Sequence, residues 1–159
     1  MAFRILVVDD YEPWQGFVAT MLQRDPEFQI VGKASDGLMA VEKAKELQPD
    51  LIFLDIGLPQ LHGIEAARRI REVAPTCKIL FVSENRFPDI VGEALSTGAG
   101  GYVLKSDAAS ELLPGAKAVL DGKRFVSASL AGHYLVTTML TSTHAMHLSW
   151  MSVLISGIR

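Results

Sequence analysis

The chain has 159 residues, 49% of them hydrophobic and 21% charged, with a formal net charge of -3. That is long enough to bury a core without disulfide or metal staples, and too apolar for a disordered chain. The mildly acidic balance gives no electrostatic case for wrapping nucleic acid, and the single cysteine, Cys77, excludes an internal disulfide and suits a reducing compartment.

Taken in chain order, two periods alternate. Met1 to Arg4 runs straight into Phe3–Val8, a short apolar stretch that ends in Asp9-Asp10. A secretory signal would need a basic start, a longer apolar segment and a cleavage site, so the expected location is cytoplasmic. A near-continuous apolar run of this length reads as a strand buried on both faces. Trp14, Phe17, Val18, Met21 and Leu22 then recur at helical spacing, with Pro13 near the start, where a missing N–H costs little. Phe28–Val31 reads as a second strand and Asp36-Gly37 as a turn. Leu38, Val41, Ala44 and Leu47 mark a second helix, stopped at Pro49-Asp50. Leu51–Leu54 is a third apolar run ending at Asp55, and Gly57 and Pro59 make the loop after it. Ile64, Ala67, Ile70 and Val73 give a third helix, ended by Pro75. Lys78–Val82 is a fourth strand ending at Ser83, followed by a helix through Ile90, Val91, Ala94 and Leu95. Glycines 98, 100 and 101 punctuate the next loop. Tyr102–Leu104 is a fifth strand ending at Lys105, and a fifth helix is expected from about Ala108 to Asp121. Pro114-Gly115 inside it disfavours helix, so a kink or a late start is expected there.

Five strand–helix units in strict alternation predict a parallel sheet with helices on both faces, connected by right-handed crossovers. The expected strand order is 2-1-3-4-5, one of the common doubly wound orders. Ligands bind such sheets at the carboxyl ends of the strands, where the order switches. Asp9, Asp10, Asp55, Ser83 and Lys105 all stand at such ends. Each has an ordinary reading in isolation: Asp9-Asp10 as a helix cap, Asp55 as a turn residue, Ser83 as a strand-end hydroxyl, Lys105 as a surface charge. The set carries the functional reading. Three convergent carboxylates raise one another's pKa, and a hard divalent cation such as Mg2+ relieves that repulsion. A carboxylate can attack a phosphoryl group, a reaction that needs positioning and charge neutralisation more than acid–base chemistry. Lys105 would neutralise charge and Ser83 would donate a hydrogen bond.

Four segments together resemble the receiver domain of two-component response regulators, the CheY-like family, over about residues 3–125. They are Val7-Val8-Asp9-Asp10, Leu54-Asp55-Ile56-Gly57-Leu58-Pro59, Val82-Ser83-Glu84 and Gly101-Tyr102-Val103-Leu104-Lys105-Ser106. The resemblance implies a flavodoxin-like (βα)5 fold in which Asp55 takes a phosphoryl group from a sensor histidine kinase. It also implies Mg2+ held directly by Asp10 and Asp55, by Asp9 mostly through water, and by the Gly57 backbone carbonyl. Ser83 and Lys105 would contact the phosphoryl group. Ser83 and Tyr102 would act as the switch that remodels the face built by the fourth helix, fifth strand and fifth helix. Such a domain assists its own phosphotransfer and dephosphorylation but is not otherwise an enzyme.

Lys105-Ser106, Asp107-Ala108-Ala109 and Gly122 to Ser127 are similar to the NarL subgroup. A cis bond after Lys105, familiar where proline follows that lysine, is not expected with serine. Regulators of that subgroup continue into a helix-turn-helix domain. Here residues 1–126 are expected to form the receiver and 127–159 a helical C-terminal extension with no recognisable output domain. Between Arg124 and Arg159 there is no Lys, Arg, Asp or Glu, so direct nucleic-acid binding is not expected. Residues 131–140 could form an amphipathic helix. The Ser and Thr residues of 134–158 count against a membrane span, and His144 and His147 lack a third metal ligand. Output through protein contact, including a homodimer, is the leading expectation, with a NarL-type transcriptional regulator lacking its DNA-binding domain as the alternative. A haloacid-dehalogenase-type phosphatase would place Asp-x-Asp after the first strand, where this chain has adjacent acids. A flavin-binding protein of this fold would need a phosphate loop there.

Overall fold

A computed structural model of the protein describes residues 1–131. The elements are β1 Phe3–Val8, α1 Glu12–Gln23, β2 Phe28–Ala34, α2 Gly37–Leu47, β3 Leu51–Leu54, α3 Gly63–Val73, β4 Lys78–Ser83, α4 Pro88–Ser96, β5 Gly101–Leu104, α5 Ala108–Leu120 and β6 Phe125–Val126. A 3-10 turn, Lys105–Asp107, joins β5 to α5. The strands make one sheet in the order β2-β1-β3-β4-β5-β6, and every pairing is parallel.

The apolar runs alternate between the two faces of this sheet, as strand geometry requires. Leu6, Val8, Ile52, Leu54, Ile79 and Phe81 pack in one core with the buried residues of α2, α3 and α4. Ile5, Val7, Leu51, Phe53, Leu80 and Val82 pack in the other with those of α1 and α5. Both faces are therefore covered, which is why the strands read as continuous apolar stretches. The helices start where the chain offers a cap or a proline. The Asp36 carboxylate accepts from the Met39 N–H at 2.7 Å at the head of α2, and Pro13 and Pro88 sit in the first turns of α1 and α4.

The order 2-1-3-4-5 is present, and the structure extends it by a strand that the sequence reading did not contain. Phe125 donates its N–H to Gly100 O at 3.1 Å and Ser127 to Tyr102 O at 2.9 Å. The Ser127 hydroxyl oxygen accepts from the Leu104 N–H at 2.9 Å. A two-residue strand is too short for periodicity to reveal, yet it satisfies the edge of β5. Ser127, Leu130 and Ala131 are all buried, the last two in the same core as Tyr102 and Leu104.

The expected late start of the fifth helix is not found: α5 begins at Ala108 and runs through Pro114. Proline there removes the bond to the Ser110 carbonyl. Both residues are exposed, so water can solvate the freed oxygen. Gly115 has a packing reason, since a Cβ at that position would meet the Phe125 ring at 3.0 Å. All peptide bonds are trans among the described residues, Lys105–Ser106 included. The expected helix over 131–140, the 134–158 segment and the histidines 144 and 147 lie outside the described residues, Ala131 excepted. Among the described residues no helix is long and apolar enough to cross a membrane.

Candidate functional site

Register brings the strand ends together. Val8 pairs with Leu54, so Asp9 and Asp55 follow side by side. Ser83 pairs with Leu104, which places Lys105 one residue further along. The backbone fixes these ends, with Asp9 N–H donating to Ala34 O at 3.0 Å and Asp55 N–H to Val8 O at 3.1 Å. Gly63 lets α3 close under this edge: a Cβ there would sit 2.0 Å from the Asp55 carbonyl oxygen.

The carboxylates of Asp9, Asp10 and Asp55 each offer an oxygen within 4.8 Å of the others. Asp9 and Asp55 are buried and Asp10 is exposed. Asp9 accepts the Tyr11 N–H at 2.9 Å on one oxygen and meets Lys105 Nζ at 2.6 Å on the other. Asp55 accepts the Ile56 N–H at 2.8 Å on Oδ1 and faces Lys105 Nζ at 3.4 Å on Oδ2. Asp55, Gly57, Ser83, Glu84 and Lys105 line one open cleft.

Burial pushes the Asp55 carboxyl above its ordinary value. The Lys105 charge opposes that and the Asp9 charge adds to it. For Lys105, burial favours the neutral amine, but the hydrogen bond to Asp9 and the charge of Asp55 together outweigh it and hold the ammonium above its usual range. Three carboxyl groups beside one ammonium leave the cluster short of positive charge. Three close oxygen donors, one of them open to solvent, fit a hard divalent ion that retains water, and Mg2+ is such an ion.

Tyr102 is fully buried, and its hydroxyl donates to Asn85 O at 2.7 Å. Burial pushes its phenol up to about 12, with Ser83 opposing and Asp55 adding. Ser83 Oγ accepts the Asn85 N–H at 3.1 Å. The structure therefore brings together every residue the sequence reading singled out here: Asp9, Asp10, Asp55, Gly57, Ser83, Tyr102 and Lys105.

Three neighbours were missed. Asn85 links Ser83 to Tyr102, and its Oδ1 accepts the Phe87 N–H at 3.0 Å. An Asn two residues before a Phe-Pro helix start was the available signal. Gln15 is buried and donates to Asp9 O at 2.6 Å and Ala34 O at 3.1 Å. A polar residue on the apolar side of α1 could have flagged it. Trp14 keeps helical period in the sequence, and in the fold Lys105 Nζ lies 5.0 Å from its ring centroid.

A family model for the response regulator receiver domain matches residues 5–116. The chain belongs to that family. Among its relatives, the transcriptional regulatory protein DegU of Brevibacillus brevis is 34% identical over 123 residues, covering 77% of this chain and 52% of that protein. The nitrate/nitrite response regulator protein NarL of Escherichia coli K12 is 32% identical over 126 residues, covering 79% and 58%. The chain thus spans little more than half the length of these curated relatives. A crystal structure of a LuxR-family two-component response regulator from Aurantimonas sp. SI85-9A1 superposes with a TM-score of 0.82 at 30% identity, covering 87% of this chain and 99% of that one. The receiver is thus of the NarL and DegU type, with the CheY-like sheet.

Proposed function

We propose that this receiver accepts a phosphoryl group on Asp55 from a sensor histidine kinase. The observation that supports this most is that Asp55, Ser83 and Lys105 line one cleft at the carboxyl edge of the sheet, with carboxylate oxygens of Asp9 and Asp10 within 4.8 Å of Asp55 and Lys105 bridging Asp9 and Asp55. A carboxylate oxygen of Asp55 attacks phosphorus, the new O–P bond forms as the P–N bond to the kinase imidazole breaks, and an acyl phosphate results. Lys105 balances the charge that gathers on the phosphoryl oxygens, and the Ser83 hydroxyl donates to one of them. Asp10 and Asp55 directly, Asp9 largely through water, and the Gly57 carbonyl would hold Mg2+, which supplies the remaining charge neutralisation when bound.

Ser83 leaving Asn85 for the phosphoryl group would loosen the Asn85 contact to Tyr102, and the face formed by α4, β5 and α5 would reorganise for protein contact. Output is to a downstream protein or a second copy, in the cytoplasm. The chain assists its own phosphotransfer and hydrolysis without being an enzyme for a separate substrate. Likeness to NarL and DegU favours a second reading, the receiver part of a transcriptional regulator whose DNA-binding domain is absent from these residues. A gel shift produced by this chain itself would overturn output by protein contact alone.

The deciding experiment is incubation with acetyl phosphate and Mg2+ followed by intact-mass measurement. One phosphoryl adduct is expected on the wild-type chain, and none on Asp55→Asn or in excess EDTA. A wild-type chain that stays unmodified would remove the basis for the proposal.

A further inference from the structure

Three groups among the described residues hold the Lys105 ammonium. Asp9 Oδ2 is at 2.6 Å and Asp55 Oδ2 at 3.4 Å, and the centroid of the Trp14 ring is at 5.0 Å. The Lys105 side chain is only 12% exposed. Trp14 stands in the first turn of α1, directly after Pro13, and its ring is braced by Phe17, with centroids 5.0 Å apart. It is half-buried. An indole face within about 6 Å of a cation attracts it, more strongly where water is excluded.

The distances set up a competition. As it stands, Lys105 is held more closely by Asp9 than by Asp55, although the phosphoryl chemistry needs it beside Asp55. The indole is a neutral surface that attracts the ammonium without neutralising it. It leaves the full positive charge available to an incoming phosphoryl oxygen, which a third carboxylate would not.

We infer that Trp14 is a positioning residue that acts through Lys105, closing the α1 side of the ammonium so that it remains over the cleft and available to the phosphoryl group. This rests on the reading of Asp55 as the phosphoacceptor. The plainer account, an α1 aromatic packed against the apolar core, predicts that Trp14→Phe and Trp14→Leu, both smaller than tryptophan, are impaired alike. It also predicts that Trp14 is indifferent to the charge on residue 105.

The rate of acyl-phosphate formation from acetyl phosphate and Mg2+, followed by intact mass, separates the two accounts. Trp14→Leu and Trp14→Phe both lose bulk, but only Trp14→Leu loses the π face; Trp14→Leu is expected to react about three- to tenfold more slowly than wild type, and Trp14→Phe to stay within about twofold of it. A second measurement reads the contact itself. In a Trp150→Phe chain Trp14 is the sole tryptophan. Lys105→Met should then change its fluorescence in the unphosphorylated protein, and Lys105→Arg should change it far less. A Trp14→Leu chain that reacts as fast as wild type, or a Trp14→Phe chain as slow as Trp14→Leu, overturns the inference. So does Trp14 emission that ignores Lys105→Met, and this holds even if Trp14→Leu fails to fold. A wild-type chain that takes up no phosphoryl group would instead sink the phosphoacceptor reading.

Discussion

At the scale of single residues, Asp55 bears a cost that its chemistry requires. Burial and the neighbouring Asp9 raise its carboxyl above the ordinary value despite Lys105. A folded-state pKa above the unfolded one means that the folded chain binds more protons than the unfolded chain between the two values. Stability therefore falls as pH rises from about 4 through the raised folded value, and the deficit persists above it. This is opposite to a carboxylate held in a favourable ion pair. Asp55→Asn should accordingly melt a few degrees above wild type at pH 7 in EDTA, with the gap closing as pH is lowered towards 4. Calorimetry across that range checks it, and a variant that melts below wild type at pH 7 would show that Lys105 outweighs the desolvation. The same excess of negative charge suits the cluster to a cation and to an electrophilic phosphorus.

At the scale of elements, legibility followed burial. The helices carry their own period, and the fully buried β3 occupies the residues the apolar run marked, Leu51–Leu54, whereas the partly exposed β2, expected over Phe28–Val31, runs on to Ala34. Pro114-Gly115 misled because local propensity argued for a break, while burial of Leu112, Ala116 and Val119 on one side held α5 together. β6 escaped because two residues show no alternation, and its partners are fixed by tertiary contact. Ser127 follows that strand, with its hydroxyl standing where a ladder carbonyl would otherwise accept the Leu104 N–H. Ser127→Ala leaves that buried N–H without its acceptor and should cost about 1–3 kcal/mol, seen as a lower denaturant midpoint at unchanged slope. An unshifted midpoint would mean that water replaces the hydroxyl. Leu104 immediately precedes Lys105, so this bond also ties the segment after α5 to the active edge.

At the scale of the whole molecule, the candidate site was more legible than the boundary of the domain. Asp9, Asp10, Asp55, Ser83 and Lys105 could be assembled from sequence because parallel topology sends each strand end to the same edge, whatever the loops do. Asn85 accepts from Tyr102 on its backbone carbonyl and Gln15 donates to the backbone oxygens of Asp9 and Ala34, contacts that the family motifs do not display. Burial continues past β6 through the described residues: Val126, Leu130 and Ala131 are 8%, 4% and 2% exposed. Burying one Val or Leu side chain is worth about 1.5–3 kcal/mol, so removing these residues together with the β6 ladder should cost about 4 kcal/mol or more. That is a large share of the stability typical of a domain, about 5–15 kcal/mol. A chain of residues 1–131 should therefore unfold in one cooperative step, whereas a chain of residues 1–124 should melt roughly 10 °C lower or more. The longer truncation is also the right one for asking whether residues 132–159 drive self-association, because it keeps every described residue of the core. Equal melting of the two truncations would show that β6 and the turn after it contribute nothing to the core on which Tyr102 packs.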